Sequence, residues 1–83
     1  MNQEINENVS VLALFEKGAI KPCSVTWQNR EYQVTKLNSR WRQKVGATYH
    51  IHLSVSIGAD MSMELVIDTS DLSWRLARVD LAG

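Results

Sequence analysis

From residue 49 to residue 69 the chain alternates apolar and polar side chains with one break. Ile51, Leu53, Val55 and Ile57 are separated by His52, Ser54 and Ser56. Met61, Met63, Leu65 and Ile67 are separated by Ser62, Glu64 and Val66, and Val66 is the exception. A period of two belongs to a half-buried β-strand, with one face inward and one outward. Between the two arms, Gly58, Ala59 and Asp60 read as a three-residue hairpin loop in which Gly supplies an unusual backbone angle. That loop sets Ile57 opposite Met61, Val55 opposite Met63, Leu53 opposite Leu65 and Ile51 opposite Ile67. On the outer face it sets His50 opposite Asp68 and Ser54 opposite Glu64. A slip by one residue would carry the whole apolar row to the wet face. This hairpin is the expected centre of the fold.

The rest of the chain reads as further short strands. Residues 1–8 are polar and acidic, and are expected to be a flexible lead-in to a single β domain over residues 9–83. Val9, Val11, Ala13 and Phe15 alternate with Ser10, Leu12 and Leu14. A helix capped by Asn8 competes for this stretch, but the β-branched start and Gly18 favour a strand. Such a strand is apolar on both faces, so either something covers its outer face or it meets another copy of the protein. Lys17 to Pro22 reads as a connector. Cys23, Val25 and Trp27 then share one face of a strand, Gln28 and Asn29 make a two-residue turn, and the chain returns through Tyr32 and Val34. The turn pairs Val25 with Tyr32 and Trp27 with Arg30. The alternation skips between Val34 and Leu37, the mark of a bulge. From Asn38 to Ala47 it is lost, and a strand end followed by a loop with one helical turn is expected. After a turn at Ser70 and Asp71, a last strand starts inward with Leu72, Trp74 and Leu76, then changes phase to Val79 and Leu81.

Five or six short antiparallel strands in a meander define the expected class, all-β. A twisted meander of this size hides its apolar face by curling into a small barrel or half-barrel. With 83 residues, the chain buries only about 60% of its unfolded surface, so the core must be well filled. The single cysteine, Cys23, excludes an internal disulfide and suits a reducing compartment. No basic start with an apolar run marks a signal peptide, and no apolar run approaches the ~20 residues of a membrane span. A cytoplasmic location is the expectation.

Net charge is zero, but it is unevenly placed. Residues 21–46 hold Lys21, Arg30, Lys36, Arg40, Arg42 and Lys44 against Glu31 alone, a local excess of +5 balanced by −5 elsewhere. Trp27, Tyr32 and Trp41 lie among these cations. Cations that neutralise phosphates beside aromatic faces that stack on bases make a surface for single-stranded nucleic acid. The candidate residues are Arg30, Lys36, Arg40, Trp41, Arg42 and Lys44. A pI near 6.7 is low for such a domain. The plainer reading makes Trp27 and Tyr32 core and the cations a solvated rim, and leaves Trp41 open between core and surface.

Other chemistry is thinner. His50 and His52 leave one strand face two residues apart, but the further ligands that zinc requires would have to come from Cys23, Glu64 and Asp68. No Cys-x-x-Cys or His-Glu-x-x-His spacing is present. Cys23, His50 and Asp68 are the one candidate nucleophile set, and the alternation puts Cys23 inside and His50 outside. No catalytic residue, metal or cofactor is assigned.

Pro22, the run from Trp27 through Arg30, Tyr32 and Val34, then Trp41, and a closing Trp74, Arg75 and Leu76 resemble a family of small bacterial β-rich domains of unknown function. Those chains carry a Pro, then Trp-x-Gly-Arg-x-Tyr-x-Val, a Trp, and a final strand with an early Trp. Asn29 stands here where Gly is usual. The resemblance implies a compact β domain and no particular chemistry. The function expected is a binding or adaptor module that is not an enzyme, with another protein or a second copy of itself as partner. Single-stranded nucleic acid is the alternative.

Overall fold

Strands cover most of the chain in the computed structural model, which describes residues 2–82. The strands are β1 (Asn2–Glu16), β2 (Ala19–Trp27), β3 (Arg30–Gln33), β4 (Lys36–Val45), β5 (Thr48–Ile57), β6 (Met61–Asp68) and β7 (Trp74–Leu81). They form one antiparallel sheet in the order β3-β2-β1-β7-β6-β5-β4. The described residues contain no helix, and so none long and apolar enough to cross a membrane.

The sheet curls but its ladder does not close. β3 and β4 stand at opposite margins, yet they are consecutive in the chain. Two neighbouring residues between them reach both margins: the Val34 amide donates to the Cys23 carbonyl at 2.9 Å, and the Thr35 amide to the Ser56 carbonyl at 2.9 Å. Beyond that point β4 runs on beside β5 alone. The result is a half-barrel with β4 as a long free edge.

The central hairpin has the expected register throughout, from His50 opposite Asp68 to Ile57 opposite Met61. Leu53, Val55, Met63, Leu65 and Ile67 are buried, and with Val25, Leu76 and Val79 they form the core. Trp74 packs against both core clusters, the one around Leu65 and the one around Ile20, Leu53 and Ile67. Val66 is buried too, although it points to the outer face. It sits in register between His52 and Arg75, whose long side chains flank it. The break in the alternation is therefore a covered position on an otherwise polar face.

Bulges account for the phase changes. Leu65 pairs Leu76 while Glu64 pairs Arg78, so Ala77 is the extra residue that moves the apolar phase from Leu76 to Val79. On β2, Ser24 pairs Leu12 while Pro22 pairs Ala13, which makes Cys23 the extra residue. The bulge turns Cys23 out, and its side chain is exposed rather than inward. Counting by twos through β2 fails there.

Four further expectations are corrected. Residues 2–8, read as a lead-in, are strand and pair with β7 from Asn2 opposite Asp80 to Val9 opposite Trp74. Lys17 to Pro22 is no connector: Lys17 and Gly18 make a two-residue turn with φ of 51° and 77°, and β2 starts at Ala19. Residues 38–45 belong to a strand, bulged at Asn38, and Gly46 and Ala47 form its turn. That brings the strands to seven. β4 has a neighbour on one side only and is exposed along its whole length, so no core face imposes alternation on it. Leu72 lies in the β6–β7 turn with φ of 63°, not on the inward face of β7.

Candidate functional site

β4 and the outer face beside it hold most of the chain's polar organisation. Arg40, Arg42 and Lys44 lie opposite Leu53, Ile51 and Tyr49 on β5, so all three turn to one side of the sheet. The Arg42 guanidinium carbon stands 4.7 Å from the centre of the Tyr49 ring. Trp41 lies opposite His52 and turns to the other side. Its indole stacks on the His52 imidazole, with centroids 5.1 Å apart and planes 14° from parallel. Lys36 lies opposite Ser56, beyond a bulge between Leu37 and Ser39. Arg30 is on β3, at the far margin, opposite Trp27.

The six basic and aromatic candidates are thus not one surface. Three cations share a side of β4, Trp41 is on the reverse side, and Arg30 is across the sheet. Trp27 and Tyr32 do not form a stacking platform. Their rings are 6.1 Å apart and tilted, both pack against the core, and the Trp27 indole N–H donates to Glu7 Oε1 at 3.2 Å. Pro22 is buried, Val34 and Trp74 are partly buried, and Trp41 is the exposed tryptophan.

On the outer face a polar chain crosses five strands. His52 Nε2 is 3.0 Å from Gln43 Oε1, and His52 Nδ1 is 3.1 Å from Glu64 Oε2. Glu64 Oε1 is 3.7 Å from Arg78 Nε, and Arg78 reaches Glu4 at 4.0 Å. Below this line a shallow depression of about 230 Å³ lies between Trp41 and Arg78, with Ser39, Ser54 and Ser62 among its lining. Sequence reasoning missed the chain because it paired residues straight across. Glu64 is the diagonal neighbour of His52, and long side chains meet on diagonals.

His50 lies beside Asp68 as the register requires, with Nε2 3.4 Å from Oδ2. The stronger hold on Asp68 comes from the turn. Its Oδ1 accepts from the Ser70 hydroxyl at 2.6 Å and from the Ser70 amide at 2.9 Å. These bonds, aided by His50, keep its carboxyl below the usual carboxylate value.

Both ring nitrogens of His52 already have partners, and among the described residues no three His, Cys, Asp or Glu side chains gather so as to hold a metal ion. Cys23 and His50 are separated in the sheet by β1, β7 and β6. The Cys23 thiol contacts the Lys21 carbonyl at 3.5 Å.

A second feature is apolar. On β1, Leu12, Leu14 and Phe15 are 68%, 49% and 60% exposed. Leu72 is 64% exposed, in the turn before Trp74, and Trp74 pairs with Val9. That turn therefore runs beside the upper half of β1.

Comparison with known proteins finds no relative: no family model matches the chain, and neither does a curated protein or a solved structure.

Proposed function

We propose that this protein is a binding or adaptor module without chemistry of its own, and that it acts by protein–protein contact, first with a second copy of itself. The observation that carries this reading is the bare outer face of the β1–β2 hairpin. Leu12 and Leu14 stand on the side of β1 away from the core, and among the described residues no element covers them. Covering a side chain of this kind contributes roughly 1.5–3 kcal/mol, so two neighbouring exposed leucines gain from being buried in a contact. The charges at its end, Glu16 and Lys21, lie 3.6 Å apart and compensate each other. Two copies can approach there without like-charge repulsion. A cytoplasmic setting suits a chain whose one cysteine is exposed and unpaired.

Sedimentation velocity over a rising concentration series tests the reading, using the native chain and a Leu12→Ser, Leu14→Ser variant. The native chain should move to a dimer and the variant should stay monomeric with the same β spectrum. A native chain that remains monomeric at every concentration overturns self-association.

A second reading is single-stranded nucleic acid on Arg30, Lys36, Arg40, Trp41, Arg42 and Lys44. The row Arg40, Arg42 and Lys44 speaks for it, and the reverse placement of Trp41 speaks against it. Binding of this kind weakens steeply as salt rises, whereas an apolar contact hardly responds.

A further inference from the structure

A free strand edge is a row of unpaired backbone donors and acceptors. β4 is such an edge. It ends the sheet, β5 is its one strand neighbour there, and all ten of its residues are exposed. Val45 and Thr48 flank the two-residue turn at Gly46 and Ala47, where Gly46 has φ of 60°. A turn of this length is closed by a hydrogen-bonded pair, and antiparallel ladders alternate bonded and non-bonded pairs. Counting back from Val45, Gln43 and Trp41 use their backbone groups on β5. Lys44, Arg42 and Arg40 direct theirs to the open side. The residues that offer free backbone are the same three that carry cations to one face.

That coincidence selects the occupant. A second copy of β4 laid against this edge would set Arg and Lys opposite Arg and Lys, and like charges directly opposite destabilise a strand pair. The row therefore guards the edge against self-pairing. The complement is an extended segment with carboxylates at alternate positions. Its intervening residues would fall on the side of Trp41, which is 43% exposed and offers an apolar surface. Nucleic acid fits less well, because the phosphate-binding cations and an aromatic face open to stacking do not share a side of β4. Trp41 lies on His52 on the reverse side, and Tyr49 has Arg42 over its ring.

We infer that the free edge of β4 takes up an extended acidic segment of a partner protein as an added β-strand, with carboxylates against Arg40, Arg42 and Lys44 and apolar side chains beside Trp41. Main-chain hydrogen bonds supply affinity in this mode, and alternate side chains supply specificity. The surface is separate from the β1–β2 face, and the inference stands whether or not the chain self-associates.

The test is titration of the full chain with a short peptide alternating Glu and Val, with a proline at each end to prevent self-pairing. The same peptide with Lys for Glu, and oligo-dT, serve as comparators. The Glu peptide should bind and shift the amide resonances of Arg40, Arg42 and Lys44, and the Lys peptide should not. Arg42→Gln removes one charge and keeps the amide. Arg42→Pro also removes the outward amide, at an edge position where proline is tolerated. Arg42→Pro should bind roughly tenfold or more weakly than Arg42→Gln. Should the proline variant not fold, Arg40→Glu with Arg42→Glu decides: it should lose the Glu peptide and gain the Lys peptide. No binding of the Glu peptide, equal affinity of the proline and glutamine variants, or binding of oligo-dT in its place overturns the inference.

Discussion

The Trp41 indole lies flat on the His52 imidazole, 5.1 Å between centroids and 14° from parallel. This stack joins the edge strand β4 to the polar chain on the outer face, because His52 is held on its other sides by Gln43 and Glu64. Trp41 is on that account fixed in place while still 43% exposed. A double-mutant cycle of Trp41→Ala and His52→Ala should show a coupling of about 0.5–1.5 kcal/mol in urea unfolding. Additive effects of the two changes would mean that the rings do not interact.

Leu53 and Leu65 face each other in the central hairpin, and both are fully buried. Either one changed to Ala should lower stability by about 2–5 kcal/mol, a large share of what a domain of this size has. Leu12→Ser, on the bare face of β1, should change the stability of the monomer by no more than about 0.5 kcal/mol. Urea midpoints for the three variants provide the comparison. A Leu12→Ser loss as large as that of Leu53→Ala would show that Leu12 is covered.

Acid stability should depend on the β6–β7 turn. The Asp68 carboxyl is lowered first by the Ser70 hydroxyl, then by the Ser70 amide, with His50 adding to the effect. A carboxylate depressed in the folded state stabilises fully above its unfolded pKa, and the contribution fades as pH falls through the folded value. Thermal midpoints taken downward from about pH 5 should therefore fall less steeply in Asp68→Asn than in the native chain. Ser70→Ala should lie between them. Identical slopes in all three chains would remove Asp68 from the acid response.

Leu72 holds φ of 63° in the same turn, with its amide donating to the Asp68 carbonyl at 2.7 Å. A left-handed backbone costs an L-residue with a side chain roughly 1–2 kcal/mol, and glycine avoids that cost. Leu72→Gly should raise the melting temperature, since the side chain it removes is exposed. A lower melting temperature would show that Leu72 makes contacts that outweigh the strain.

How much of this was legible from residues alone varied with burial. Leu53, Val55, Met63 and Leu65 announced their register because a slip would have exposed them. The turn at Gln28 and Asn29 was legible from residue type, and both residues have left-handed φ. β4 was not legible: with one neighbour and no covered face, its side chains record no inside or outside. Cys23 and Ala77 misled or shifted the count because a bulge inserts one residue that only the partner strand reveals. At the candidate surfaces, the cations of residues 40–44 were visible in the sequence. Their separation from Trp41 onto opposite sides follows only once that stretch is known to be a strand. The His52–Glu64 contact lies on a diagonal that straight pairing overlooks.

The open half-barrel requires the sheet to stop at β4 instead of closing into a barrel. Residue-resolved amide hydrogen exchange on dilute protein reads this directly. Trp41 and Gln43, bonded to β5, should exchange slowly, while Arg40, Arg42 and Lys44 between them should exchange at nearly the rate of an unstructured chain. Uniform protection from Arg40 through Lys44 would mean that the outer side of β4 is already paired, and would contradict both the open half-barrel and the edge it offers.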